Sequence, residues 1–80
     1  MYEIESAVAR FGISEYPLPG FPRVFDEERI KAQIREYFPG DRRVEQIEVA
    51  RMKPIPEAGI PDTLSVRFPD NSVEVRYVRQ

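Results

Sequence analysis

The chain has no cysteine and no histidine. Without cysteine there is no disulfide staple, thiolate zinc site or cysteine nucleophile. Without histidine the commonest metal ligand and general base is missing as well. Long hydrophobic runs are also lacking: no apolar stretch approaches the roughly 18 residues of a membrane-spanning helix. The first residues, Met1-Tyr-Glu-Ile-Glu, are acidic where a secretory signal would be basic. A cytoplasmic protein that engages no membrane is therefore expected. Glycine is scarce: Gly12, Gly20, Gly40 and Gly59 are scattered, each at the edge of a patterned segment, so no glycine-rich phosphate loop is present. No metal and no cofactor are expected.

What is present is enough for one small domain spanning 1–80. A chain of this length buries only about 60 to 65% of its unfolded surface, so its core is small. Twelve basic residues face fourteen acidic ones, a net charge of −2. Arginine supplies most of the basic residues, and it suits bidentate pairing and interface contacts. A plainer origin is a genome rich in guanine and cytosine. Neither half of the chain is a polycation.

The clearest architectural signal is at the end. Leu64, Val66 and Phe68 alternate with polar residues, as do Val73, Val75 and Tyr77, and Pro69-Asp70-Asn71-Ser72 between them is a turn sequence. The spacing predicts a hairpin with those six residues on its buried face and Ser65, Arg67, Glu74, Arg76 and Val78 on the other. Upstream, Asp26 suits an N-cap, Glu27 and Glu28 suit a first turn, and Phe25 with Ile30 matches a hydrophobic staple. Ile30, Ile34, Tyr37 and Phe38 then share one face, so a helix from Glu27 to Phe38 is predicted, stopped by Pro39-Gly40.

Other segments are less decided. In residues 2–11, Ile4, Val8 and Phe11 fall at helical spacing, with Gly12 as a left-handed end. Tyr2, Ile4, Ser6 and Val8 alternate as a strand would. Helix is the expectation and strand its rival. Tyr16-Pro-Leu-Pro-Gly-Phe-Pro22 reads as an extended crossing that turns Leu18, Phe21 and Phe25 onto the core. Its Pro19-x-x-Pro22 spacing also fits a polyproline ligand. Val44 to Met52 reads as a strand with Ile47 and Val49 on one face and Gln46, Glu48, Ala50 and Met52 on the other. A proline-rich loop, 53–62, follows. The expected fold is α+β: two helices packed on one face of a three-stranded antiparallel sheet that ends in the hairpin.

Catalytic patterns are weak. Asp26, Glu27 and Glu28 are adjacent carboxylates, but helix neighbours point about 100° apart, so capping explains them better than a shared metal ion. Two glutamates in a pocket are conceivable, and an enzyme would most readily place such a site between subunits. No catalytic residue is nominated. The leading expectation is a non-enzymatic protein-binding module, an adaptor, inhibitor or accessory subunit. It would act through the outer sheet face and the loop, with Met52, Ile55, Ile60, Arg67, Arg76 and Val78 as contact residues. An edge strand also offers a second copy a place to pair. The alternative is a nucleic-acid-binding module using Arg51, Lys53, Arg67, Arg76 and Arg79. Interleaved acids such as Glu48 and Glu74 argue instead for cross-strand ion pairs on a solvated face.

Overall fold

The computed structural model describes residues 4–24 and 26–79. It has one helix and five strands, all in one antiparallel sheet, in place of the two helices and three strands expected from sequence. The strands are β1 (Ile4–Phe11), β2 (Ser14–Pro17), β3 (Glu48–Met52), β4 (Thr63–Arg67) and β5 (Val73–Arg79). Their order across the sheet is β2-β1-β5-β4-β3. The helix α1 (Glu27–Tyr37) covers one face through Ile30 and Ile34, both fully buried.

The first correction is residues 4–11, where strand prevails over helix. β1 pairs with β5 along most of its length and with β2 on its other side. A register shift between Ile4 and Ser6 puts Ile4, Ala7 and Ala9 together on the buried face. That bulge breaks strict alternation, so Val8 points away from the core although it shares parity with Ile4. The helical spacing of Ile4, Val8 and Phe11 is local, whereas the partner that stabilises β1 lies more than sixty residues away. Gly12 is left-handed as read, with φ 62°, but it serves the two-residue connection Gly12-Ile13 of a hairpin.

The second correction follows from the first. Ser14–Pro17, expected to belong to an irregular crossing, is an edge strand on β1. Proline is tolerated there because an edge strand turns half of its backbone donors away from the sheet. The remainder of the crossing behaves as read: Leu18 and Phe21 pack against the core, and Leu18 N–H donates to Ala7 O at 2.9 Å. Placement of Tyr2 and Glu3, and the proposed roles of Phe25 in the staple and core, lie outside the described residues.

The helix starts where the sequence puts it. Asp26 Oδ1 accepts from the backbone N–H of Glu28 at 2.9 Å and of Arg29 at 3.4 Å, and Lys31 pairs with Glu27 at 3.2 Å. It ends at Tyr37, with Phe38 as its C-cap. Residues 44–46, expected to open a strand, lie in a 3-10 turn, Arg42–Gln46, because Asp41 Oδ1 accepts from Arg43 N–H and caps it. The strand proper begins at Glu48.

The C-terminal hairpin has the expected register, with Leu64 opposite Tyr77 and Val66 opposite Val75. All six inner residues are buried. At its tip Asp70 Oδ1 accepts from Ser72 N–H at 3.0 Å and Asn71 is left-handed at φ 61°. Arg43 ties this tip to the 3-10 turn. It donates to Asp41, to Asp70 at 2.8 Å and to Ser72 Oγ at 2.9 Å, and its guanidinium lies 4.8 Å from the centre of the Phe68 ring. Those bonds hold both carboxyls below the usual range: Asp41 chiefly through Arg43, Asp70 chiefly through the Ser72 hydroxyl. This cluster is structural, joining three segments through charge-assisted bonds.

Candidate functional site

Strand alternation gives the sheet a second face that no described helix covers. Ser6, Val8 and Arg10 of β1, Glu15 of β2, Glu74, Arg76 and Val78 of β5, Thr63, Ser65 and Arg67 of β4, and Glu48, Ala50 and Met52 of β3 lie on it. It has two chemically distinct parts.

One part is apolar. Val8, Met52, Ile60, Pro61 and Val78, with Thr63, Glu15 and Arg76, line a hollow of about 330 Å³. Met52 is 55% exposed, a large value for an apolar side chain. Ile60 reaches this hollow because the loop closes on itself: Ile55 and Ile60 exchange backbone hydrogen bonds of 2.9 and 3.0 Å around the short 3-10 turn Pro56–Ala58. The loop is thus a compact projection beside β3. Neither isoleucine belongs to the core cluster.

The other part is ionic. Glu74, only 13% exposed, sits at the centre of three arginines: Arg76 at 3.2 Å, Arg67 at 3.4 Å and Arg10 at 3.8 Å. Arg76 also donates to Glu15 at 2.9 Å. Arg67 stands directly opposite both Glu74 and Glu48 in the sheet register. A neighbouring hollow of about 350 Å³ is lined by Ala50, Arg51, Met52, Thr63, Ser65, Arg67, Glu74 and Arg76. The Ser65 hydroxyl is buried with no hydrogen-bond partner among the described residues.

The nominated contact residues therefore divide. Met52, Ile60, Arg76 and Val78 share the first hollow, and Met52, Arg67 and Arg76 share the second. Ile55 lines neither, although it is exposed. The five basic residues of the nucleic-acid alternative do not form one surface. Arg67 and Arg76 converge on Glu74 on the open face. Arg51 and Arg79 converge on Asp62 at 2.7 and 3.1 Å, and Lys53 is exposed beyond the end of β3.

Three features were not legible from sequence. Arg10, Glu15 and Val8 join this face only because β1 and β2 are strands; their one signal was the pairing of Arg10 with Glu15 at equal distances from the Gly12-Ile13 turn. Asp62, the last residue of the proline-rich loop, is 3% exposed, and donation from Arg51 holds its carboxyl below the usual range. A second exposed apolar group, Phe11, Ile13 and Tyr16, lies at the β1–β2 end of the sheet, with the Phe11 and Tyr16 rings 6.0 Å apart.

Among the described residues no three carboxylates gather as a metal site, and Asp26 and Glu27 are engaged in the cap and a helix ion pair. No described helix is long and apolar enough to cross a membrane. No protein-family model, curated protein or solved structure matches the chain.

Proposed function

We propose that this protein is a small non-enzymatic binding module, an adaptor, inhibitor or accessory subunit, whose contact surface is the open sheet face together with loop 53–62. The observation that carries the reading is the juxtaposition on one uncovered face of an apolar hollow, built by Val8, Met52, Ile60, Pro61 and Val78, and an arginine–carboxylate cluster centred on Glu74. Protein interfaces combine an apolar centre with polar surroundings, and methionine and arginine are enriched in them.

Size supports including the loop. Five strands about 4.8 Å apart and some 20 Å long present a projected footprint of about 450 Å². A stable interface needs about 800 Å² per partner. Side chains give the face more accessible surface than this footprint, and the projection formed by residues 53–62 adds to it on the side where Met52 and Ile60 meet.

The reading is tested by affinity capture from the native cell extract after nuclease treatment, comparing the natural chain with Met52→Asp and with Arg67→Glu. Both positions are at least half exposed, so the variants should keep the fold, which a thermal melt checks. The expected result is a defined protein partner lost from both variants. Capture unchanged by either substitution refutes the proposed surface. Recovery of nucleic acid in place of protein from a parallel untreated extract refutes the proposed class.

A further inference from the structure

Building on the binding role proposed above, we infer that the Glu74-centred cluster receives a carboxylate: the partner presents an acidic side chain beside an aliphatic one. Glu74 is the organising group. Its own carboxylate is nearly buried and is contacted by the Nε atoms of Arg10, Arg67 and Arg76. A guanidinium carries five N–H donors in a rigid fork. Arg67 commits Nε to Glu74, and its terminal nitrogens have no partner among the described residues while half of the side chain is exposed. Arg76 commits Nε to Glu74 and Nη2 to Glu15 and is also well exposed. An inward carboxylate thus draws two guanidinium groups to one point beside an open hollow. Guanidinium groups held in advance lose less entropy on meeting an anion than free ones do.

The hollow is lined by Arg51, Arg67 and Arg76 against Glu74 alone. Arg51 is itself paired with Asp62, and on the open face Arg10, Arg67 and Arg76 balance Glu15, Glu48 and Glu74, so what favours an anion is the supply of uncommitted donors on Arg67 and Arg76 and not a net positive charge. The Ser65 hydroxyl in the same hollow is a further unused donor. Beside it, across Met52 and Arg76, which line both hollows, lies the apolar one. That adjacency asks for an acidic residue next to an aliphatic one. A nucleic acid fits less well: among the described residues the face carries no aromatic side chain on which a base would stack, since Tyr77 is fully buried on the other side.

The experiment selects a random decapeptide library on the immobilised full chain, then titrates the enriched peptides, synthesised singly, against isotope-labelled protein by NMR. A twenty-nucleotide single strand of mixed sequence serves as the competing probe. The expected peptides carry Asp or Glu beside Leu, Ile, Val or Met and shift the amides of Ser65, Arg67, Glu74 and Arg76. Arg67→Gln with Arg76→Gln should weaken them at least tenfold. Arg67→Lys with Arg76→Lys, which keeps charge but loses the fork, should fall between. Amide dispersion of each variant reports its fold. Peptides that lack an acidic residue yet shift the same amides overturn the carboxylate inference and leave the binding role standing. Peptides that shift no outer-face amide, or no enrichment at all, overturn both. Stronger shifts at Arg67 and Arg76 with the oligonucleotide overturn both in favour of nucleic acid.

Discussion

Asp62→Asn should destabilise the fold by about 2 kcal/mol at pH 7 without changing its shape. Asp62 is 3% exposed, and its Oδ2 accepts from Arg51 Nη2 at 2.7 Å and lies 3.1 Å from Arg79 Nε, while Oδ1 accepts from Arg51 Nε at 3.2 Å. Removing one partner of a fully buried ion pair costs about 3–5 kcal/mol, because the remaining charge loses its counter-ion in a poorly solvated place. The full figure does not apply here. Arg51 is 50% exposed, so water compensates it in part, and both Arg51 and Arg79 have interactions besides those with Asp62. Asparagine also keeps one acceptor. With a slope of about 1 kcal/mol per molar urea for so small a chain, the unfolding midpoint should fall by about 2 M.

The pH dependence supplies an independent check. The Asp62 carboxyl is held below its ordinary value by donation from Arg51, against the opposing effect of burial. An unfolded aspartate titrates near about pH 3.9. The contribution of Asp62 is therefore complete above that value and lost as pH falls through the lower folded one. The gap between the natural chain and Asp62→Asn, followed by circular dichroism, should be constant from about pH 5 to 8 and should narrow below about pH 4. Asp41 and Asp70 are depressed in the same direction, so the variant keeps part of its acid sensitivity. A loss under about 0.5 kcal/mol at pH 7, or a gap that widens in acid, would falsify the account.

Further outcomes follow from the packing. Phe68→Ala should cost about 3–5 kcal/mol in the same urea assay, because Phe68 is 1% exposed, meets Phe38 edge-on at 5.1 Å and carries Arg43 on its ring. Gly12→Ala should cost about 1 kcal/mol, since φ 62° is left-handed and a Cβ there meets nothing it would clash with; Gly12→Asn should cost less. Tyr77→Phe should be neutral or mildly stabilising, because its fully buried hydroxyl, whose ionisation burial pushes up, has no hydrogen-bond partner among the described residues. A loss above about 1.5 kcal/mol would reveal an unseen acceptor.

The parts of the fold legible in the chain are those whose determinants are close in sequence. Asp26 reaches Glu28 and Arg29 within its own turn, and Phe68 meets Val73 across four residues, so capping chemistry and a turn sequence suffice to locate α1 and the C-terminal hairpin. β1 is the opposite case. Its helical and strand patterns compete over the same eight residues, and β5, from the far end of the chain, decides between them. Contact preferences of a strand are contextual in this way: Ala7 and Ala9, ordinary helix formers, are buried in the sheet. β2 inherits the same difficulty, since Pro17 discourages a strand assignment until β1 exists to give it an edge.

The open face divides along the same line. Arg67, Glu74 and Arg76 belong to the hairpin, so their shared face and cross-strand pairing follow from alternation alone. Arg10 and Glu15 enter through β1 and β2, and their arrival changes the chemistry. With only Arg67 and Arg76 against Glu74 and Glu48, the face balances to zero and resembles any solvated sheet. Arg10 and Glu15 leave that balance at zero, but Glu74 gains a third arginine, and the carboxylate becomes the enclosed hub of the cluster. Charge at a surface is set less by how many ionic residues a segment has than by which of them burial brings to one point. Here the N-terminal hairpin turns an ordinary ion pair into an arrangement with donors to spare.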